Sequence, residues 1–219
     1  MTPLEYVREL FAEGIGPSVV IVGYDHRFGR NREGSFESLT NLGTVFGFEV
    51  EELPAHTVED TRVSSTKVRE AIAAGDVARA RQWLGHPYPF SGRVVRGEQL
   101  GRKLGFPTAN LECEEPLKRL PGRGVYAVWA RIAGTGDWQP AMVNMGTRPT
   151  VQGDGITETM EVHLLEGGRQ CYDETMELQF MARLRDEMMF EGLKALQDQL
   201  QQDAQKARSI LATEPVPVP

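Results

Sequence analysis

Leu4, Val7 and Phe11 recur at the spacing of one helical face, and Gly14 and Gly16 follow as stop signals, so the chain is predicted to open with a helix. Val19 to Val22 then form an apolar run without alternation that Gly23 ends, the pattern of a strand covered on both faces in a parallel sheet. Residues 36–53 supply a further helix and strand. Ser64, Ser65 and Thr66 offer caps for a helix through Ala73 that Gly75 terminates, and Asp76 caps a second helix reaching Leu84. Helix, buried strand, glycine and helix again is the grammar of an α/β fold.

The pattern changes at Gly85, His86, Pro87, Tyr88 and Pro89, where turn residues replace helix formers, and a domain boundary is expected there. Beyond it SGRVVR, GVYAVWARI, PAMVNM, TMEVHLLE and TMELQF are short β-rich runs punctuated by Gly and Pro, which suits a small barrel or sandwich. A last helix is expected from near Phe190, with Leu193, Leu196, Leu200, Ala204 and Ala207 on one stripe that packs across the β structure as a lid or plug. The expected division is residues 1–85, residues 86–212 and a flexible tail at 213–219, where proline alternates.

Composition adds mainly exclusions. With 40% hydrophobic and 25% charged residues, the 219-residue chain has the make-up of an ordinary globular protein with room for two modest domains. A net charge of -7 opposes the phosphate-neutralising surface that nucleic acid requires, so no nucleic-acid partner is expected. The first residues carry charges where a signal peptide needs an apolar stretch, and no run approaches membrane-spanning length, so the expectation is a cytoplasmic protein without a membrane partner. Cys113 and Cys171 form no CxxC pair and are read as reduced thiols.

Neither GxxxxGK[ST] nor GxGxxG occurs, so a phosphate site has to be sought elsewhere. The most unusual string is GEQLGRKLGFPTAN, residues 97–110, in which three glycines and two basic side chains precede Thr108 and Asn110. Backbone amides of such a loop can cradle phosphate oxygens. Thr108 and Asn110, two apart on an extended segment, point the same way and suit a hydrated Mg²⁺. The same residues also suit a β-turn followed by capping residues. Farther on, Met160, Val162 and Leu164 alternate on one strand face, leaving Glu161 and His163 on the other. On pattern alone, Glu161 reads rather as a solvated glutamate on an exposed strand face.

The string closely resembles the GxxLGRxxGFPTAN signature of the riboflavin kinase family, which includes the C-terminal half of bacterial bifunctional riboflavin kinase/FMN adenylyltransferases (FAD synthetases). The likeness continues, in order, through GVYAV at 124–128, VNMGTRPTV at 143–151, EVHLLE at 161–166 and LRDEMMF at 184–190. This resemblance implies transfer of the ATP γ-phosphate to the riboflavin 5′-hydroxyl to give FMN. It also implies Glu161 as general base and Gly101, Arg102, Gly105, Thr108 and Asn110 at the ATP phosphates. Mg²⁺ would be held near Thr108 and Asn110, and Arg185 would lie near the flavin. His163 is assigned no role. Riboflavin kinases commonly have lysine where this chain has Met189, so any role of that lysine does not carry over.

Residues 18–36 and RVSSTKVRE at 62–70 resemble parts of the FMN adenylyltransferase domain, with Ser64, Ser65, Thr66 and Arg69 as remnants of its anion site at a helix start. That domain opens with a His-x-Gly-His motif, and none occurs in this chain. The chain is therefore expected to be an N-terminally truncated form that makes FMN and not FAD. The resemblance implies an α/β, Rossmann-like nucleotidyltransferase remnant followed by a closed six-stranded antiparallel Greek-key barrel with a C-terminal helix. Two rival readings are a bifunctional enzyme making FMN and FAD, and a flavin-binding module without catalysis. The intact set of Thr108, Asn110 and Glu161 speaks against the second.

Overall fold

The computed structural model describes residues 1–54, 57–58, 61–97, 100–149 and 156–217, grouped in two compact units, Met1–Val63 and Ser64–Pro219. In the first unit a capping box between Thr2 and Glu5, with Pro3 at the first helical position, starts α1 (Pro3–Tyr6). The helix continues as π-helical turns over Val7–Ile15 until Gly16 turns left-handed at φ 64°. Strand β1 (Val19–Gly23) leads through α2 (Phe36–Phe46) to β2 (Glu49–Leu53), which pairs with it in parallel. Val7, Val22, Phe28, Leu39 and Phe48 form the core. The expected strand is present, but its burial differs from expectation. Val20 and Val22 pack inward, whereas Val19 and Ile21 are 42% and 57% exposed, because this two-stranded sheet is covered on one face among the described residues. Two short strands, β3 (Thr57–Val58) and β4 (Thr61–Arg62), pair antiparallel.

The second unit opens with α3 (Ser65–Ala74), capped by Ser64 and closed by Gly75, and α4 (Val77–Leu84), capped by Asp76 and closed by Gly85. These caps fall where the sequence places them. The compact units, however, divide at Val63/Ser64 and not at Gly85, where the composition shifts. The reason is tertiary: Val77 is fully buried in the core of the following β structure, and the Gly122 N–H donates to the Ile72 carbonyl at 2.9 Å. Gly75 is a close approach as well as a cap, since a Cβ there would meet the Tyr126 hydroxyl at 2.5 Å.

Six strands follow, β5 (Tyr88–Val95), β6 (Ala109–Glu112), β7 (Gly124–Ile132), β8 (Thr135–Pro149), β9 (Ile156–Leu164) and β10 (Thr175–Arg185). They close into a barrel in the order β10-β5-β6-β9-β8-β7 with every pair antiparallel. Strands β7, β8 and β9 form a meander and β10 returns beside β7, which is the Greek key. The five β-rich runs fall on β5, β7, β8, β9 and β10, while the four-residue β6 lies inside the glycine-rich string. A short helix, α5 (Leu100–Lys103), precedes it.

Alternation sorts the strands into two faces. Phe90, Val94, Leu111, Tyr126, Val128, Val143, Met160, Val162, Met176 and Phe180 fill the barrel. Val125, Ala127, Trp129, Met142, Met181 and Leu184 face outward and are covered by Ala204, Ala207 and Leu211 of α6 (Leu193–Leu211). The C-terminal helix therefore packs on the outer wall; the inward side chains already fill the interior, so there is no space for a plug. Of its expected stripe, Leu193 is 62% exposed. The register of β10 shifts between Phe180 and Ala182 and between Arg183 and Arg185, and these bulges turn Leu184 toward the helix. Glu214, at the start of the expected tail, pairs with Arg81 at 2.8 Å, and the last two positions, Val218 and Pro219, lie outside the described residues.

Candidate active site

Strand pairing places the polar residues of the outer face in one row. Asn110 of β6 and Asn144 of β8 are the Cα partners of Glu161 on either side, Val125 is the next partner of Asn144, and Arg185 is the next partner of Val125. Because Met160 and Val162 face the barrel interior, Glu161 and His163 face away from it, as their alternation predicts.

A cavity of about 390 Å³ lies over this row, within the size range of small-molecule sites. Its polar lining includes Thr108, Asn110, Asn144, Glu161, His163, Arg185 and Glu187; Leu104, Phe106, Leu196 and Leu200 supply apolar walls. The structure thus brings Gly101, Thr108, Asn110, Glu161 and Arg185 together around one space. Arg102 lines a second cavity of about 300 Å³ at one end of the barrel, with Thr108, Val162, Met176, Arg169 and Tyr172. Thr108 belongs to both. Its Oγ1 donates to Glu161 Oε2 at 3.4 Å.

The glycines of the string have separate geometric reasons. A Cβ on Gly97 would overlap the Asn110 side chain, and one on Gly101 would overlap the Phe106 carbonyl oxygen. Gly105 turns left-handed at φ 83° and lines neither cavity. Glu98 and Gln99 of the string, and Thr150 and Val151 at the end of VNMGTRPTV, lie outside the described residues.

His163 holds the segment before Thr108 from the strand side. Its Nδ1 is 2.8 Å from the Pro107 carbonyl, a contact it makes as a donor, and its ring lies 5.1 Å from that of Phe106. Burial pushes its imidazole below the ordinary histidine range, the Pro107 carbonyl pulls it up, and Arg208 adds to the lowering. Arg185 pairs at 2.8 Å with Asp203 of α6, which is 3% exposed. The helix also fixes the rim, through Gln197 Nε2 donating to the Leu104 carbonyl at 3.3 Å and Lys206 Nζ to the Leu184 carbonyl at 2.7 Å.

The residue pattern alone gives no role to Asn144, His163, Glu187 or Asp203. The alternation that turns Glu161 outward also marks Asn144, which stands between the inward Val143 and Met145. Met189 is fully exposed and does not line the cavity, although Met188 does. Ser64, Ser65, Thr66 and Arg69 sit at the start of α3 and line neither cavity. Among the described residues no three His, Cys, Asp or Glu side chains cluster to hold a metal, and no helix is long and apolar enough to cross a membrane. Cys113 and Cys171 are unbridged, and burial raises the Cys171 thiol above its usual range.

Residues 84–211 match the family model for riboflavin kinase, and residues 1–67 match that for FAD synthetase. A bifunctional riboflavin kinase/FMN adenylyltransferase of Pseudomonas fluorescens is 39% identical over 212 residues, covering 97% of this chain and 67% of that protein. Its Escherichia coli K12 counterpart is 38% identical over 211 residues, covering 95% and 65%. The chain thus spans about two thirds of the length of these relatives. A crystal structure described as a macrolide-efflux protein from Streptococcus pneumoniae superposes with a TM-score of 0.79 at 32% identity, covering 95% of this chain and 65% of that one.

Proposed function

The chain belongs to the riboflavin kinase family, and on that premise we propose that its second unit transfers the γ-phosphate of ATP to the 5′-hydroxyl of riboflavin, releasing FMN and ADP. The carrying observation is the row Asn110–Glu161–Asn144 beneath a cavity whose wall, at Thr108, is shared with a second one. Riboflavin occupies the larger cavity, with its ribityl end at Glu161. ATP enters from the side of Arg102 and the glycine loop, so that its terminal phosphate meets the alcohol at Thr108. A bond forms from the 5′-oxygen to phosphorus as the bond to ADP breaks, and the displaced proton passes to the Glu161 carboxylate. Phosphoryl transfer depends chiefly on positioning and charge neutralisation, which suits a row of one carboxylate between two amides, beside a hydroxyl and a fixed arginine.

Thr108 and Asn110 offer oxygen donors, with no cluster of charged ligands among the described residues. That set fits Mg²⁺ carried in mainly by nucleotide phosphates and keeping several waters. Bound there, the ion would neutralise charge on the ATP phosphates. Riboflavin, ATP and FMN are then the small-molecule partners, and the cytoplasm, where ATP is made available, is the proposed location.

Incubation with riboflavin and MgATP followed by chromatographic separation of flavins tests this reading. FMN accumulating with time supports it; riboflavin bound but unchanged would reduce the protein to a flavin-binding module. The match of residues 1–67 to the FAD synthetase model supports a second reading, adenylylation of FMN to FAD. These 219 residues contain no His-x-Gly-His and are expected to make no FAD, an expectation that FAD above the no-enzyme background from FMN and MgATP would overturn.

A further inference from the structure

Asp203 is a charged side chain in an apolar setting: it is 3% exposed, on the helix face that buries Ala204, Ala207 and Leu211 against the barrel. A buried carboxylate is costly to desolvate, and a small apolar residue would suit the packing of such a face better. The carboxylate meets the Arg185 guanidinium side-on. Nε donates to both oxygens, at 3.1 and 2.9 Å, and Nη2 pairs with Oδ2 at 2.8 Å. Gln199 Nε2 donates to Oδ1 at 2.9 Å and fixes the carboxylate in turn. On the arginine, Nη1 donates to the Asp186 carbonyl at 2.8 Å, and the Phe190 ring lies 5.7 Å from Cζ.

A guanidinium has five N–H groups in one plane; here Nε and Nη1 donate and Nη2 stands in the ion pair, so N–H groups on the terminal nitrogens stay open to a further acceptor. Arg185 lines the larger cavity. Its flexible stem would normally let the fork sweep a wide arc, and the Asp203 pair removes that freedom. We infer that Asp203 is a positioning residue for the acceptor site: from the C-terminal helix it fixes the Arg185 fork so that the open N–H groups of its terminal nitrogens meet oxygens of the bound flavin. This rests on riboflavin occupying that cavity. It makes acceptor binding depend on the docking of α6, an element outside the barrel.

The test is the dissociation constant of riboflavin, read from quenching of its fluorescence without nucleotide, together with steady-state constants. Asp203→Asn is expected to raise that constant about tenfold and to leave KM for MgATP within about twofold, the split expected when substrate binding alone is lost. Arg185→Ala should raise it at least as much, and the double variant should be no worse than Arg185→Ala alone. An unchanged riboflavin constant with a lowered melting temperature would make Asp203 merely structural and overturn the inference, as would additive losses in the double variant. Should Asp203→Asn not fold, Gln199→Leu keeps the ion pair and is expected to raise the same constant about two- to threefold, with no change counting against the inference. A wild-type chain that binds riboflavin but makes no FMN sinks the kinase reading while the binding test still stands. One that makes FMN while Asp203→Asn binds flavin normally sinks only this inference.

Discussion

Glu161→Gln separates a base from a strand glutamate. The substitution preserves size, shape and one acceptor oxygen, so the alcohol can still be oriented, but the displaced proton loses its acceptor. A positioned general base contributes about 10²- to 10⁴-fold in rate. At 1.36 kcal/mol per decade, that corresponds to roughly 2.7–5.4 kcal/mol of transition-state stabilisation. Stability should change little. Glu161 is half-buried on the outer face of β9, and the side chains that hold that strand in the barrel are Met160 and Val162, which the substitution does not touch. The Thr108 hydroxyl, now 3.4 Å from Oε2, can still donate to the amide oxygen. The assay is FMN formation under saturating riboflavin and MgATP, with circular dichroism and a melting curve as controls. The expected result is a kcat lowered by about 10²- to 10⁴-fold, with both KM values little changed, the signature of an interaction made only in the transition state. A kcat near wild type, or a loss confined to KM, would refute the assignment of a base.

Thr108→Ala should raise KM for MgATP far more than the riboflavin dissociation constant measured without nucleotide; a loss of flavin affinity alone would contradict the placing of ATP at Thr108. Gly101→Ala drives a Cβ into the Phe106 carbonyl, backbone that cannot turn aside, and should cut kcat/KM for MgATP, measured per folded molecule, at least about tenfold, whereas wild-type kinetics would mean the loop has slack. His163, held low chiefly by burial, binds fewer protons in the fold than in the unfolded chain, so its stabilisation is complete above about pH 6.5 and is lost as pH falls from there through the lower folded value. Melting temperatures should therefore decline below about pH 6.5, less steeply in His163→Asn, and equal slopes would refute the linkage. Met160→Ala empties an inward position that is 4% exposed and should cost about 2–5 kcal/mol, measured by chemical denaturation, with turnover per folded molecule retained; an unchanged midpoint would contradict the inward facing of Met160.

What is legible in the sequence is what local rules decide. The caps at Ser64, Asp76, Gly75 and Gly85 are set by hydrogen bonds within a few residues, and each falls where its residue type predicts. The alternation around Glu161 is equally local, since a strand's period of two needs no partner to be read. What is not legible depends on distant contacts. Nothing near Val77 announces that it packs into a barrel core, so composition puts the boundary after α4, whereas packing puts it before α3. Likewise nothing in the residue pattern near Asp203 marks its partner, which lies 18 positions back on β10. Strand β6 escapes notice because four residues are too short for alternation to show, and the side of the barrel that α6 covers depends on two bulges in β10 that no residue pattern marks.

The site lies on the outer wall for a reason of size. Barrels of about eight strands have interiors just wide enough for side chains, and six strands enclose less. Tyr126, Met176 and Phe180, all fully buried, belong to the set that fills this one, so the polar residues of the same strands must face outward. An outward carboxylate in open solvent would position little, because water screens it and competes for its hydrogen bonds. The second wall is therefore functional: α6 and the glycine loop enclose the face, and Gln197 joins one to the other at the Leu104 carbonyl. Within that enclosure Asn110, Glu161 and Asn144 are aligned by ladder register. A slip of one residue in β9 would turn Glu161 into the apolar interior and Met160 into the cavity, at the cost of a buried unpaired charge. The inward apolar set that stabilises the barrel thus also selects, against every odd-numbered slip, the one register in which the active-site row exists.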